Sequence, residues 1–431
     1  MESKTIAPAK TVAGTVEVPG DKSISHRAVI LGALSNRVCA VDNFLLADDC
    51  LRTVEAFRQM GIVIESSGTH LSIRGQGLDG LKRPAGPIQC GNSGTTTRLL
   101  MGVLTGQPFD VQLIGDASLS RRPMDRVIEP LSQMGANFLD IKDKPAYLPL
   151  RMQGSRNVRS IHWKSPVASA QVKSAILLAG LYASGSTTVE EPSLSRDHTE
   201  RMLQASGVTL ERKGASVSVL GTATVRADAF QVPGDLSSAA FLLAAGLLRG
   251  PRVVVRGVGV NPTRTGFLDV IKAMGGSCRF VSATESGGEP LADIDVQKSS
   301  LKGLSIGGEM IPRAIDEIPI LTVLATQAQG RTVISDAKEL RVKESDRLAA
   351  LREELSKMGA QITEKPDGLV IDGPTPLTGA VVKSHGDHRL AMSLAVAGLV
   401  AGGTTTIEDV ACVATSFPSF WSLLEQLRGN A

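Results

Sequence analysis

The stretch Gly20-Asp-Lys-Ser-Ile-Ser-His-Arg27 runs directly into the apolar segment Ala28–Leu34, and this change from polar cluster to Ala/Leu-rich helix decides the fold. The same transition recurs at Gly91-Asn-Ser-Gly-Thr-Thr-Thr-Arg98 and Ser165-Pro-Val-Ala-Ser-Ala-Gln-Val-Lys173. It appears again at Gly234-Asp-Leu-Ser-Ser238, Asp316-Glu-Ile-Pro319 and Gly386-Asp-His-Arg389. The spacing is about 70 to 80 residues, longer than the common solenoid repeats. A helix start carries unpaired N–H groups and a partial positive charge, so it attracts anions. Several such starts in one chain point to small anionic ligands.

Each opening leads into the same pattern. The first helix (Ala28–Leu34, Leu99–Leu104, Ser174–Tyr182, Ala239–Leu248, Ile320–Gln327, Leu390–Val400) is apolar on nearly all sides and is predicted to be buried. A β-branched strand follows, such as Gly185–Val189 or Gly403–Ile407, and then an amphipathic helix such as Asp49–Met60 or Ser345–Met358. Gly61, Gly135, Gly207, Gly275 and Gly359 stand where a left-handed C-terminal cap is needed. Two short strands close the unit, as in Ile62–Glu65 with His70–Ile73. The sixth unit ends on helix Ser419–Leu427, and Thr11–Val18 is the expected source of its missing strand.

The expected architecture is therefore α/β, with six βαβαββ-type units, three per domain. One domain spans 20–233, and the other combines 1–19 with 234–431. Pro19-Gly20 and Pro233-Gly234 are candidate hinges, although Pro-Gly is also ordinary turn chemistry.

Composition narrows the function. The 431 residues carry 46 Lys+Arg against 43 Asp+Glu, a net charge of +3 that argues against a general polyanion binder. Aromatics make up only 3%, too few for base-stacking platforms, so no nucleic acid is expected. The five cysteines are scattered, which fits a reducing cytoplasm and neither a disulfide framework nor a zinc site. Met1–Lys10 lacks a signal-peptide core and Ala239–Leu248 is too short to span a bilayer, so a soluble protein with no membrane partner is expected.

The clusters carry distinct chemistry. Ser23 and Arg27, four residues apart, share a helix face with Lys22 beside them, and this cationic set needs an anionic partner or full solvation. Gly91–Arg98 has the composition of an anion-holding loop but lacks the lysine of a Walker A loop. Leu340–Arg347 sets Lys343 and Arg347 one turn apart with Glu344 between, and Asp387-His388-Arg389 opens the sixth helix. Mixed charges of this kind are usually a solvated, salt-bridged face; their recurrence at equivalent places favours a site. His385 and His388 are three apart, but no zinc-protease motif occurs, so neither metal nor cofactor is expected.

From Pro19–Ala28 the chain resembles the 5-enolpyruvylshikimate-3-phosphate synthase family. The resemblance continues through Gly91–Arg98, Arg122-Pro-Met124, Ser169-Ala-Gln171, Asp316-Glu317, Leu340–Arg347 and Gly386–Arg389, covering essentially the whole chain. Ser169-Ala-Gln-Val-Lys173, Arg196-Asp-His-Thr-Glu200 and Asn261-Pro-Thr-Arg264 resemble the family's second class, which includes glyphosate-tolerant members. The resemblance implies a pair of inside-out α/β barrels, a cytoplasmic monomer, and transfer of the enolpyruvyl group of phosphoenolpyruvate to the 5-hydroxyl of shikimate 3-phosphate. It implies that Ser23 and Arg27 hold the shikimate carboxylate, that Ser169, Ser195 and Lys343 hold the 3-phosphate, and that Gln171 lies between the substrates. Lys22, Gly94 and Arg122 would face the phosphate of phosphoenolpyruvate, with Arg347 and Arg389 on its carboxylate. Asp316, on the shikimate 3-phosphate side, and Glu344 are the candidate proton carriers, with Lys22 as the acid near the leaving phosphate.

Three positions depart from other members: Ala170 replaces a second serine, Thr415 stands near a position where others have lysine, and Glu339 replaces asparagine. Glyphosate is an expected competitor for the phosphoenolpyruvate pocket. Gly94 favours sensitivity and the second-class background favours tolerance, so intermediate tolerance is expected. The related UDP-N-acetylglucosamine enolpyruvyl transferases carry a loop cysteine that Gly115–Arg122 lacks. A non-catalytic anion binder would have no use for Asp316 and Glu344 together with Lys22.

Overall fold

The computed structural model describes residues 2–141, 144–222 and 224–429. By its internal contacts the chain forms two compact units. The C-terminal unit comprises Met1–Pro19, Pro233–Thr284 and Pro290–Ala431; the N-terminal unit comprises Gly20–Val232 and Glu285–Glu289. Two details differ from a division at residue 233. Pro233 falls in the C-terminal unit, and the turn 285–289 counts with the N-terminal one, where Glu289 meets His198 Nδ1 at 2.8 Å and Gly288 O accepts from Arg201.

The described residues form six sheets, and the second shows the plan. Strand Ile88–Gln89 leads into helix Gly94–Thr105 and pairs in parallel with strand Asp110–Ile114. Helix Asp125–Gln133 follows, then strands Asn137–Leu139 and Leu150–Gln153, which add on antiparallel. The amphipathic helices end on glycine as their pattern requires: Gly61, Gly135, Gly207, Gly275 and Gly359 all have φ between 81° and 111°.

The buried helices begin inside the polar clusters. Asp21, Ser93, Ser169, Asp235 and Asp387 each cap a helix by accepting a first-turn amide, which satisfies one orphan donor. Helix Ile318–Gln327 uses Pro319 in its first turn instead. In the N-terminal unit, helices Lys22–Leu34, Gly94–Thr105 and Ala170–Gly180 lie within one hydrophobic core. Helices Leu236–Arg249, Ile318–Gln327 and His388–Val400 pack pairwise in the core of the other unit. Each unit is thus built with helices inside and sheets presenting an outer face to solvent.

The leading strands correct one expectation. Gly14–Glu17, within Thr11–Val18, pairs in parallel with Val253–Gly259 of the fourth unit and not with the sixth. The sixth unit is completed by Ser3–Ile6, antiparallel to Thr405–Glu408. Ser3–Ile6 buries only Ile6, so it has no alternation to betray it, whereas Val12, Val16 and Val18 are all buried. Strand Ala229–Gln231 makes the reciprocal move: it precedes helix Leu236–Arg249 but pairs with Val38–Asp42 of the first unit. At each crossing the strand before it stays with the unit the chain is leaving.

Within the N-terminal core, helices Gly94–Thr105 and Ala170–Gly180 meet at Gly102, where an added Cβ would stand 2.3 Å from the carbonyl oxygen of Ala175. Gly102→Ala is expected to cost about 1–3 kcal/mol through overpacking. Gly86→Ala, where an added Cβ meets nothing within 4 Å, is expected to stay within about 0.5 kcal/mol. Urea midpoints of the two variants check the contrast.

Candidate active site

In the N-terminal unit, Asp21 accepts the amide of Ile24 at 2.9 Å and so fixes the start of helix Lys22–Leu34. Lys22 in the first turn reaches Asp49, with its ammonium 2.5 Å from the carboxylate. Arg27 lies one turn on and is almost fully buried. Its Nη1 donates to the carbonyl of Ser23 (2.9 Å), Nε to Thr199 Oγ1 (2.6 Å) and Nη2 to Ser174 Oγ (2.7 Å). Ser23 and Arg27 therefore share a face as their spacing predicts. Burial pushes the Arg27 guanidinium down to about 10, against the opposing pull of Glu200 and Asp21, and it remains cationic at neutral pH.

The second and third openings meet through side chains. Arg98 Nη1 donates to Gln171 Oε1 at 2.7 Å, and Gln171 Nε2 donates to Thr95 Oγ1 at 2.9 Å. Arg122 Nη2 donates to Asn92 Oδ1 at 2.6 Å. The two guanidiniums flank Gly94: a Cβ there would stand 2.7 Å from Arg98 Nη1 and 3.6 Å from Arg122 Nη1. Ser169 caps helix Ala170–Gly180, while buried Ser195 donates its hydroxyl to Glu191 at 2.8 Å.

In the C-terminal unit, Arg347 is the largest fully buried side chain. Asp387, itself the cap of helix His388–Val400, accepts from Arg347 Nε at 2.7 Å and from Nη2 at 3.3 Å. Glu344 accepts from Nη2 at 2.7 Å, and Asp316 lies 3.6 Å from Nη1. With its Nε–Nη2 edge on Asp387, Arg347 has only Nη1 to offer a ligand. Arg389 Nη1 donates to the carbonyl of Asp316 at 3.1 Å, and its Nη2 stands 3.7 Å from that residue's carboxylate. Lys343 is half-buried where the short 3-10 helix Lys338–Val342 ends. Asp316, Glu344, Arg347 and Arg389 thus form one cluster.

Burial would raise the Asp387 carboxyl, but the Arg347 cation wins and holds it below the usual carboxylate range. Burial likewise opposes the Arg347 cation, and Asp387 and Glu344 override it, so its pKa rises.

The fourth opening, which carried no assigned ligand, is a structural junction. Arg264 Nη1 meets Glu317 at 2.7 Å and its Nη2 meets Asp235 at 3.2 Å. Ser237 donates to Glu317 and accepts from Arg264. Thr415 donates its hydroxyl to the carbonyl of Cys412. His385 pairs with buried Glu354 at 2.7 Å in a group with Glu353, and the ammonium of Lys357 already lies on both carboxylates.

A family model described as EPSP synthase (3-phosphoshikimate 1-carboxyvinyltransferase) matches residues 6–424. The chain belongs to the EPSP synthase family. It is 52% identical over 423 residues to a 3-phosphoshikimate 1-carboxyvinyltransferase of Brevibacillus brevis, covering 98% of this chain and 99% of the relative. It is 51% identical over 428 residues to the protein so named in Geobacter sulfurreducens, covering 99% of each. The solved structure of EPSP synthase from Acinetobacter baumannii matches with a TM-score of 0.89 at 42% identity, covering 99% of this chain and 98% of that one. The fold is accordingly the family's inside-out α/β architecture.

Sequence reading missed the partners that hold these residues: Asp49 for Lys22, Arg98 for Gln171, Glu191 for Ser195 and Asp387 for Arg347. Arg98 with Gln171 and Asp387 with Arg347 come from different units of the repeat, while Asp49 with Lys22 and Glu191 with Ser195 lie within one unit but on separate segments, so helical spacing gives no sign of these pairings. Only Asp387 and Arg98 left a trace, as members of the opening clusters.

The depressed Asp387 carboxyl makes stability depend on pH. The unfolded chain takes up this proton first on acidification, so the contribution is fully present above the unfolded value of about 4 and is lost as pH falls through the lower folded value. Asp387→Asn should lower stability at neutral pH by about 3–5 kcal/mol, as for a broken buried pair, and should flatten the acid limb. Urea unfolding of both proteins from neutral to acid pH checks this.

Proposed function

We propose that the chain does what its family is named for: it transfers the enolpyruvyl group of phosphoenolpyruvate to the 5-hydroxyl of shikimate 3-phosphate and releases phosphate, a step of aromatic amino-acid biosynthesis. The observation that carries this reading is the cluster of Asp316 and Glu344 on the buried, carboxylate-braced Arg347. A carboxylate pair beside guanidiniums combines proton carriers with anion binders, which addition and elimination on an anionic substrate requires.

Ser23 and Arg27 hold the shikimate carboxylate; Ser169, Ser195 and Lys343 take the 3-phosphate. Gln171, steadied by Arg98 and Thr95, contacts both substrates. Gly94, Arg122 and Lys22 face the phosphate of phosphoenolpyruvate, while Arg389 and Arg347 Nη1 take its carboxylate. Asp316 removes the proton of the 5-hydroxyl. The attacking oxygen bonds to the central carbon of phosphoenolpyruvate as Glu344, entering the step protonated, gives its proton to the methylene carbon, forming a tetrahedral intermediate. Glu344 then takes a proton back from the methyl carbon as the carbon–oxygen bond to phosphate breaks, and Lys22 gives a proton to the departing phosphate oxygen. The protein works as a cytoplasmic monomer, and glyphosate competes with phosphoenolpyruvate with intermediate potency.

Phosphate release from phosphoenolpyruvate is expected to require shikimate 3-phosphate and to ignore the UDP-sugar of the related transferases. Asp316→Asn and Glu344→Gln should each lower turnover by ~100-fold or more, the size of a general acid–base contribution. Near-native turnover in a folded variant removes that residue from the proton path. Gly94→Ala brings a methyl against Arg98, and is expected to raise the glyphosate inhibition constant by about 10-fold or more relative to the KM of phosphoenolpyruvate. Equal changes in both constants would refute the steric argument.

A further inference from the structure

We infer that Glu191 and Lys173 are positioning residues for Ser169 and Ser195, holding them for the phosphate of the sugar-like substrate; this rests on the proposed assignment of those serines to the 3-phosphate. Glu191 follows strand Ser186–Glu190 and is buried. Its Oε1 accepts the amide of Ser169 at 2.9 Å. Its Oε2 accepts the hydroxyl of Ser195 at 2.8 Å and that residue's amide at 3.3 Å. One carboxylate therefore sets the backbone of one serine and the side-chain rotamer of the other, although they lie on different segments.

Lys173 completes the arrangement from helix Ala170–Gly180, one turn beyond Ser169. Its Nζ lies 2.8 Å from Glu191, 2.8 Å from Glu200 and 3.3 Å from the carbonyl of Ser195. An ammonium has three N–H donors, and these three acceptors occupy them. Lys173 thus has no donor left for substrate, so its role is indirect. Burial pulls its pKa down, but Glu200 and Glu191 outweigh this and keep it charged. That charge offsets Glu191, a carboxylate directly behind serines that must receive an anion. Ser195 is gripped through its amide, its hydroxyl and its carbonyl. When a phosphate takes the Ser195 hydroxyl, Glu191 still holds Ser169 N, Ser195 N and Lys173, so the exchange strands no buried charge.

Positioning and plain electrostatics predict opposite signs for Glu191→Gln. Removing a negative charge behind an anion site should tighten phosphate binding if charge alone matters. Loss of a carboxylate that fixes two serines should weaken it, by about 10-fold for one charge-assisted hydrogen bond. Calorimetric dissociation constants for shikimate 3-phosphate and for shikimate, on the native and variant proteins, separate the cases. The expected result is ~10-fold weaker binding of shikimate 3-phosphate with less than about 2-fold change for shikimate. Unchanged or tighter binding of shikimate 3-phosphate overturns the inference. So does an equal loss for both ligands, which marks a purely structural pair. If the native protein itself does not prefer shikimate 3-phosphate to shikimate, the assignment of the two serines falls instead. Glu191→Asp, which keeps the charge but withdraws the carboxylate by one methylene, carries the same comparison where the amide variant does not fold.

Discussion

A cation withdrawn from water has to be answered by an anion or by a full set of acceptors, because uncompensated burial costs several kcal/mol per ion. Arg27, Lys173, Arg264 and Arg347 are all buried beside the starts of buried helices. Lys173 is met by Glu191 and Glu200, Arg264 by Asp235 and Glu317, and Arg347 by Asp387 and Glu344. Arg27 is held by hydroxyl and carbonyl oxygens, with Glu200 supplying the largest opposing charge. This requirement explains why the opening clusters mix signs. Asp387 serves twice, capping its own helix and neutralising an arginine from the preceding unit.

The same helices break a rule that favours stability. Acidic residues are normally preferred in a first turn and cations in a last turn. The buried helices starting at Lys22, Gly94, Ala170, Leu236, Ile318 and His388 have no acid in the first turn, and Lys22 and Arg389 place cations there. The amphipathic helices starting at Asp48, Asp125 and His198 follow the rule, with Asp48, Asp49, Asp125 and Glu200 in their first turns. Among the amphipathic helices Arg347–Lys357 also opens on a cation, so the positive poles of these ends are left un-neutralised by their own first turns.

The fold was legible where the signal was local. Periodicity located the buried helices and the amphipathic ones, and glycine marked their C-terminal ends, because those features depend on neighbours three or four residues away. The leading strands, two to four residues long, are too short to show which sheet they join, so Ser3–Ile6 gives no signal and the partner of Gly14–Glu17 does not follow from its sequence. The candidate site divides the same way. Ser23 with Arg27 and Glu344 with Arg347 lie within one turn of each other and could be read together. Glu191 with Ser169, and Asp387 with Arg347, are brought together by tertiary packing across 22 and 40 positions.

The donor inventory of Arg347 shows how its burial fixes its orientation. A guanidinium has five N–H bonds; Asp387 and Glu344 engage Nε and Nη2. Its Nη1 is buried and has no hydrogen-bond partner among the described residues, with Asp316 at 3.6 Å lying beyond hydrogen-bond reach. An unmet buried donor costs about 1–3 kcal/mol, more on a charged group. Asp387 prevents relief of that cost by rotation, because turning the guanidinium would break the contacts of the opposite edge. The arginine is thus held with Nη1 short of a hydrogen bond, 3.6 Å from the Asp316 carboxylate. The carboxylates that make its burial possible also fix which edge faces Asp316.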